Sequence, residues 1–149
     1  MRAVIQRVDT ASVSIDNVEK TRIEKGLLAL IAVMEGDTIE DADYIATKIL
    51  GLRVFPDSED KMNLSVYDIA GSVLVVSQFT LAGDARKGKR PSFSDSASPE
   101  DALPLLEEIE KRITKASVGF ARGEFGSHMK VSLVNDGPVT ILLDSRKNF

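Results

Sequence analysis

Short apolar runs rich in β-branched residues recur along this chain, whereas only two segments show helical spacing. Such runs are typical of strands. We predict strands over residues 3–8, 11–15, 27–34, 73–76, 129–134 and 139–143. The first two flank Asp9-Thr10 and are expected to be separate short antiparallel strands, and 73–76 is expected to be a central strand. Strands mixed with two main helices predict an α+β fold of largely antiparallel β-sheet or barrel.

The first predicted helix begins at Asp37 or Thr38, whose side chains are good N-caps, and ends near Gly51. Its apolar residues recur at helical spacing and are Ala42, Ile45, Ala46 and Ile49.

The second predicted helix has a clearer start, with Ser98 as N-cap, Pro99 at the first helical position and Asp101 as capping partner. It is expected to run to about Ala116. Its predicted apolar stripe is Leu103, Leu106, Ile109, Ile113 and Ala116. With 149 residues and 43% hydrophobic content, the chain is predicted to form one domain over residues 1–149.

The residue inventory restricts the chemistry, because the chain has no Cys and a single His, His128. Thiol nucleophiles and thiolate metal cages are excluded, so we expect no metal and no cofactor. His128 follows Gly126-Ser127 and belongs to no nucleophile-elbow pattern, which indicates a partly exposed, non-catalytic residue. The longest apolar stretch, 26–34, is too short to cross a bilayer. We therefore expect a soluble, cytoplasmic protein that contacts no membrane.

Polar residues follow the predicted central strand in the order Ser77, Gln78, Phe79, Thr80, and a basic loop lies just beyond them. Its four cations are Arg86, Lys87, Lys89 and Arg90, in a chain whose net charge is −4. Such local positive charge favours one docked phosphate group, as in a nucleotide or a tRNA end, over duplex DNA. The alternative is a solvated surface turn, since Gly and Pro punctuate the loop.

Asn135-Asp136-Gly137-Pro138 separates the last two predicted strands. Asp-Gly is a strong hairpin signal and predicts a tight turn here. Pro138, however, removes an amide donor where a returning strand would use one, so a plain hairpin does not explain it.

Several blocks in order resemble the D-aminoacyl-tRNA deacylase family over essentially the whole chain. The blocks are MRAVIQRV at 1–8, KMNLS at 61–65, the 77–93 segment, GEFG at 123–126, NDGPVT at 135–140 and LLDS at 142–145. The resemblance implies that family's fold and a homodimeric enzyme. It would hydrolyse the ester joining a D-amino acid, or glycine, to the 3′-terminal ribose of tRNA, and so carry out chiral proofreading in translation.

The resemblance also implies roles for individual residues. Gly137 and Pro138, joined by a cis peptide bond, would enter the active site of the partner subunit, where their carbonyls hold the substrate α-amino group and an L side chain collides. Arg7 would support that segment. Ala102, Phe125 and Met129 match positions in or near the pocket for the terminal nucleotide, although core packing explains Met129 equally well.

Ser77, Gln78, Phe79 and Thr80 match the family's strand-end motif, where they would meet the terminal adenosine and the ester. Thr80 matches a residue considered as nucleophile, whereas the family is also argued to use the substrate's 2′-hydroxyl. We favour the hydroxyl, because a threonine without a neighbouring base is a poor nucleophile. Ser127 stands where the family usually has alanine.

Two other functions stay open. One is an RNA-end or nucleotide-binding module that has the fold without turnover. The other is a related editing deacylase that carries a trans Gly-Pro segment and accepts small L-amino acids.

Overall fold

Residues 1–148 fold into a six-stranded main sheet, a separate two-stranded sheet and two α-helices. A computed structural model describes residues 1–148, and Phe149, the last residue of the predicted domain, lies outside the described residues. In chain order the elements are β1 (Arg2–Ile15), β2 (Val18–Ile23), β3 (Gly26–Ala32), α1 (Ile39–Gly51), β4 (Phe55–Pro56), β5 (Met62–Leu64), β6 (Ser72–Ser77), a 3₁₀ helix (Phe79–Ala82), α2 (Pro99–Lys115), β7 (Gly119–Arg122) and β8 (Lys130–Asp144).

The main sheet has the order β2-β1-β3-β6-β7, with β8 on β1. Strand β1 is antiparallel to β2, β3 and β8, whereas β3, β6 and β7 are mutually parallel. The parallel pairs follow from connectivity, because α1 lies in the connection from β3 to β6 and α2 in that from β6 to β7. The predicted α+β class, with two main helices and a nearly closed, barrel-like sheet, is confirmed.

The predicted division of the first strand is wrong, because residues 2–15 form the single strand β1. Residues 2–8 pair with β3 and residues 11–15 with β2, while both halves pair with β8. The register opposite β8 shifts twice, between Gln6 and Val8 and between Val8 and Thr10. Such irregularities bend a strand without reversing it, so Asp9-Thr10 lies in a bend and not in a turn.

The hairpin predicted at 135–138 is also wrong, because the chain keeps its direction through these residues. Residues 130–134 pair with the second half of β1, and 140–144 pair with its first half. Between them the backbone bulges from the strand, and the Val139 N–H closes the bulge by donating to Asn135 Oδ1 at 2.9 Å. We call residues 135–139 the β8 bulge.

Both helices begin where their capping residues predict. The Thr38 N–H donates to the Asp41 carboxylate at 2.8 Å, and Ser98 Oγ accepts from the Asp101 N–H at 3.2 Å. The four predicted apolar residues of α1 are buried. The predicted stripe of α2 is only partly right: Ile109 and Ile113 are buried, whereas Leu103 is exposed and its neighbour Ala102 is buried instead.

Buried side chains lie on both faces of the sheet. Ile31, Val73 and Val75 pack in the cluster that also contains the buried residues of α1 and α2. Leu74 and Val76 belong to the second cluster, with residues of β1, β2 and β3. Strand β6 is therefore central, as predicted, and its end emerges from a rigid core at Ser77. None of the described helices is long and apolar enough to cross a bilayer.

Candidate active site

The end of β6 supplies the polar segment that the sequence singles out. The Gln78 N–H donates to the Ile31 carbonyl at 2.7 Å, which prolongs the pairing with β3 by one residue. The chain then turns into the 3₁₀ helix, in which Phe79 is 55% exposed. Gln78 Nε2 donates to Thr80 Oγ1. The segment thus combines a fixed backbone with side chains that face solvent.

A cavity of about 620 Å³ opens beside this strand end. Six predicted site residues line it together: Ser77, Gln78, Phe79, Ala102, Phe125 and Met129. Its walls are mostly apolar, and His128 is the one ionisable side chain among its described lining residues. Volume and lining are typical of a site for a small organic group.

Four other predicted residues lie outside the cavity lining, and the basic loop is also elsewhere. Thr80 is exposed on the 3₁₀ helix, next to the cavity but not in its lining. Gly137 and Pro138 are exposed on the β8 bulge, and Arg7 lies beneath that bulge. Within one chain, the strand end and the Gly-Pro pair are thus separate surfaces.

Arg7 ties the β8 bulge to the body of the fold. The side chain is 9% exposed, its Nε donates to the Asp136 carbonyl at 3.0 Å, and its Nη1 donates to the Val54 carbonyl at 2.5 Å. The Asp136 carboxylate lies 3.1 Å from Nε. The Gly137–Pro138 peptide bond is cis, the geometry implied by the resemblance and not the trans geometry of the alternative editing deacylase.

A tight turn holds Phe125 at the cavity wall. The Ser127 N–H donates to the Glu124 carbonyl at 3.2 Å, and Ser127 Oγ donates to the Glu124 carboxylate at 2.6 Å. Gly126 has φ of +78°, in the left-handed region that glycine tolerates best. The hydroxyl of Ser127 therefore has a partner within its own turn.

The basic residues form the tip of a small hairpin over residues 84–92, which we call the basic hairpin. Asp84 and Ser92 exchange backbone hydrogen bonds of 2.8 and 2.9 Å at its base. The Arg86 guanidinium donates to both Asp84 carboxylate oxygens, at 2.9 and 2.7 Å, and holds the pKa of that carboxyl well below its usual range. Lys87, Lys89 and Arg90 are exposed and form no ion pair with another residue of 1–148.

The sequence reasoning missed Phe93, Ser96 and Ala97, which line the cavity. The rings of Phe93 and Phe79 meet edge to face, with centroids 5.3 Å apart and planes at 68°. The available signal was an aromatic residue directly after a basic loop. Among the residues that the structure describes, no cluster of three His, Cys, Asp or Glu side chains could hold a metal ion.

The chain thus combines a barrel-like α+β fold with a mostly apolar cavity at the end of its central strand. The family model described as D-Tyr-tRNA(Tyr) deacylase matches residues 4–144. The chain therefore belongs to the D-Tyr-tRNA(Tyr) deacylase family, and the activity that its relatives are named for is a hydrolase activity.

Individual relatives agree with this assignment. A D-aminoacyl-tRNA deacylase of Thermosipho melanesiensis is 55% identical to this chain over 150 residues, and the match covers the full length of both chains. A solved structure titled c-Myc DNA Unwinding Element Binding Protein is 36% identical, has a TM-score of 0.90 and covers 97% of this chain and 98% of its own. A second, titled as a probable eukaryotic D-amino acid tRNA deacylase, is 18% identical with a TM-score of 0.81 over 95% and 97% of the chains, and shows the shared fold.

Proposed function

We propose that this protein hydrolyses the ester bond of D-aminoacyl-tRNA and of glycyl-tRNA and spares L-aminoacyl-tRNA. The products are the free amino acid and tRNA with an unesterified 3′ end. The observation that carries the proposal is the mostly apolar cavity beside Ser77, Gln78 and Phe79, in a chain that belongs to this deacylase family. Its volume of about 620 Å³ suits a nucleoside bearing a small acyl group.

The chemistry requires positioning more than a strong protein base, because an aminoacyl ester is already activated. Water attacks the ester carbonyl carbon, negative charge gathers on the carbonyl oxygen, and the bond to the ribose oxygen breaks as that oxygen takes a proton. Phe79 and Thr80 begin the 3₁₀ helix, so their N–H groups have no acceptor within it. We assign these N–H groups to the developing oxyanion.

Thr80 contributes its N–H to the oxyanion in this proposal, and its hydroxyl is not the nucleophile. Its hydroxyl oxygen accepts a hydrogen bond from Gln78, which draws electron density away from that oxygen. The residues found with the threonine at the strand end, Ser77, Gln78 and Phe79, include no general base. The neighbouring 2′-hydroxyl of the terminal ribose is left to orient the attacking water.

We propose a homodimer in which Gly137 and Pro138 of one subunit complete the site of the other. Two observations support this. The Gly-Pro pair is exposed on a bulge away from its own cavity, and β8 has only β1 as a strand neighbour within residues 1–148. The exposed apolar residues of β8 are Leu133, Val134 and Leu142. An open edge carrying apolar side chains favours pairing with a second chain.

The basic hairpin is proposed to contact the tRNA acceptor end. The whole chain has a net charge of −4 even with the four cations of the basic hairpin included, so its remainder repels a long polyanion and we propose that duplex DNA is not a partner. We further propose that residues 1–149 act as one domain in the cytoplasm, where aminoacyl-tRNA is used.

The test is release of amino acid from matched D-tyrosyl-, L-tyrosyl- and glycyl-tRNA by the purified protein. The proposal predicts fast loss of the D-tyrosyl and glycyl esters and an L-tyrosyl ester that decays at the rate without enzyme. Survival of all three esters would favour the nucleotide-binding module. Loss of an L-alanyl ester, tested as a fourth substrate, with a stable D-tyrosyl ester would favour the editing deacylase.

A further inference from the structure

Two exposed aromatic rings lie between the basic hairpin and the cavity. Phe93 directly follows Ser92, the last residue of the hairpin, and its ring meets the ring of Phe79 edge to face. Phe79 is 55% exposed and Phe93 is 38% exposed, although both line the cavity. The rings therefore stand at the cavity mouth and face solvent.

The position of Phe93 is fixed by the backbone on both sides. Asp84 and Ser92 are bridged at the base of the hairpin, and the Ser96 N–H donates to the Phe93 carbonyl at 3.1 Å. Farther along, the Ala97 N–H donates to the Val33 carbonyl at 3.0 Å. The ring lies over Gly83, where an added Cβ would be 3.0 Å from Phe93 Cε1. A ring that is anchored and still exposed is suited to stack on a ligand.

Exposed aromatic rings beside cations are the usual means of holding single-stranded nucleic acid, because a base stacks on the ring while the cations contact the phosphates. The 3′ end of tRNA is single-stranded. If the terminal nucleoside occupies the cavity, the preceding nucleotide leaves through the mouth that Phe79 and Phe93 border. Its phosphates then run towards Lys87, Lys89 and Arg90 on the basic hairpin.

We propose that Phe93 is a stacking platform for the base of the nucleotide that precedes the terminal adenosine. This inference rests on the proposed function and adds a second nucleotide subsite to it. The competing explanation is that Phe93 only closes the cavity wall by packing on Phe79 and Gly83. The two explanations differ in one respect, since only a platform makes hydrolysis depend on whether the second base is present.

The test uses three D-tyrosyl esters: of adenosine, of the dinucleotide CpA, and of a dinucleotide whose first unit has ribose and phosphate but no base. For the wild type we expect kcat/KM for CpA to exceed that for the baseless ester by roughly tenfold, the usual size of base–aromatic stacking. Phe93→Leu, which keeps apolar packing without a ring, is expected to bring this ratio close to one. Phe93→Tyr is expected to retain it.

A charge variant provides the matched control. The double variant Lys87→Gln/Arg90→Gln is expected to lower the ratio of kcat/KM for the baseless ester to kcat/KM for the adenosine ester, because it removes phosphate contacts. The base-dependent ratio, which is kcat/KM for the CpA ester over kcat/KM for the baseless ester, is expected to stay unchanged. A base-dependent ratio above one that survives in Phe93→Leu, or that is absent in the wild type, would overturn the proposal.

If the wild type hydrolyses D-tyrosyl-tRNA but no short ester, the same comparison is made with tRNA that lacks the penultimate base. Failure to hydrolyse D-tyrosyl-tRNA as well would instead refute the proposed function.

Discussion

At the scale of single residues, the sequence predicts which residues lie together better than how they are held. Six of the singled-out residues line one cavity: Ser77, Gln78 and Phe79 follow from the strand end, whereas Ala102, Phe125 and Met129 come from the family resemblance. The contacts of Arg7 with Val54 and Asp136 were not foreseeable, because they join segments that lie 47 and 129 positions away. Pairings at such separations depend on the folded topology and leave no local sequence pattern.

Gly137 shows how such a contact constrains one position. Its φ is +130°, and an added Cβ would lie 2.8 Å from Val139 Cγ2 and 3.0 Å from Arg7 Nη2. We expect Gly137→Ala to displace the β8 bulge and to lower kcat/KM for D-tyrosyl-tRNA at least about tenfold, with about 2–3 kcal/mol lost from the free energy of unfolding. Urea unfolding and single-substrate kinetics measure the two effects.

Gly36→Ala is the matched control, since φ is +75° there but the nearest group to an added Cβ is Arg146 Nη2 at 3.9 Å. Position 36 also has a positive φ but lacks the close contacts found at position 137. We therefore expect Gly36→Ala to lower the free energy of unfolding by about 1 kcal/mol and to leave kcat/KM unchanged. Equal effects of both variants on activity would show that crowding at the bulge is irrelevant.

Arg7 itself provides a second prediction at this scale. Arg7→Lys keeps the charge but cannot reach the Asp136 and Val54 carbonyls with one rigid fork, so we expect a loss of about 2–3 kcal/mol in the free energy of unfolding. Because the arginine supports the bulge, activity at a temperature where the variant is folded should also fall. Wild-type activity in a destabilised Arg7→Lys protein would mean that the bulge does not need this support.

At the scale of elements, local signals predict starts and ends of helices but not the course of strands. The capping residues Thr38 and Ser98 act within one turn, so their helices follow from the sequence. Strand β2 was missed because most of its residues are exposed and several are charged. The β8 hairpin was wrongly predicted because Asp136-Gly137 permits both a turn and a bulge, and the shared partner β1 decides between them.

The basic hairpin yields a prediction about salt. Arg86 is neutralised by Asp84, whereas Lys87 and Arg90 are free of such pairs among residues 1–148. We expect Lys87→Gln/Arg90→Gln to reduce the slope of log KM against log salt concentration for D-tyrosyl-tRNA by about 1.4, at about 0.7 for each single-strand phosphate contact. Arg86→Gln should reduce the slope by less than the value of about 0.7 for one phosphate contact. A larger effect of Arg86→Gln would show that the Asp84 pair opens on binding.

At the scale of the whole molecule, the first and last strands are paired along their length and held by a buried charge cluster. The Met1 α-ammonium lies 2.8 Å from the Asp37 carboxylate and donates to Ser145 Oγ at 2.6 Å. Arg146 Nη2 lies 2.8 Å from the same Asp37 carboxyl group. Nearby, Asp144 is 4% exposed. This cluster joins both strands to the turn before α1.

Acid should weaken the charge cluster that joins the first and last strands. Burial raises the pKa of Asp144, but hydrogen bonds from Asn148 and the Arg146 N–H, with the positive N-terminus and Arg2 nearby, outweigh it and leave the pKa below the usual value. A depressed folded pKa gives stability that is complete above the unfolded pKa of about 4 and is lost as pH falls through the folded value. We therefore expect the free energy of unfolding to fall between about pH 5 and pH 3.

Asp144→Asn tests the source of that fall. The variant should be less stable than the wild type at pH 7, because the ion pair of Asp144 with Arg2 and its attraction to the positive N-terminus are lost, and its stability should depend less on acid pH. Urea unfolding at pH 7 and near pH 3.5 measures both. If the free energy of unfolding falls equally with pH in both proteins, Asp144 is not the source of the acid sensitivity.

The claim that two subunits share each active site is tested most directly by mixing two impaired variants. Gln78→Ala alters the strand-end site, and Gly137→Ala alters the bulge that is proposed to enter the partner's site. After refolding an equal mixture, about half of the dimers are mixed, and each mixed dimer holds one intact site. The account predicts recovery of about one quarter of wild-type D-tyrosyl-tRNA hydrolysis, well above either variant refolded alone. A mixture no more active than the average of the two variants would contradict a shared site.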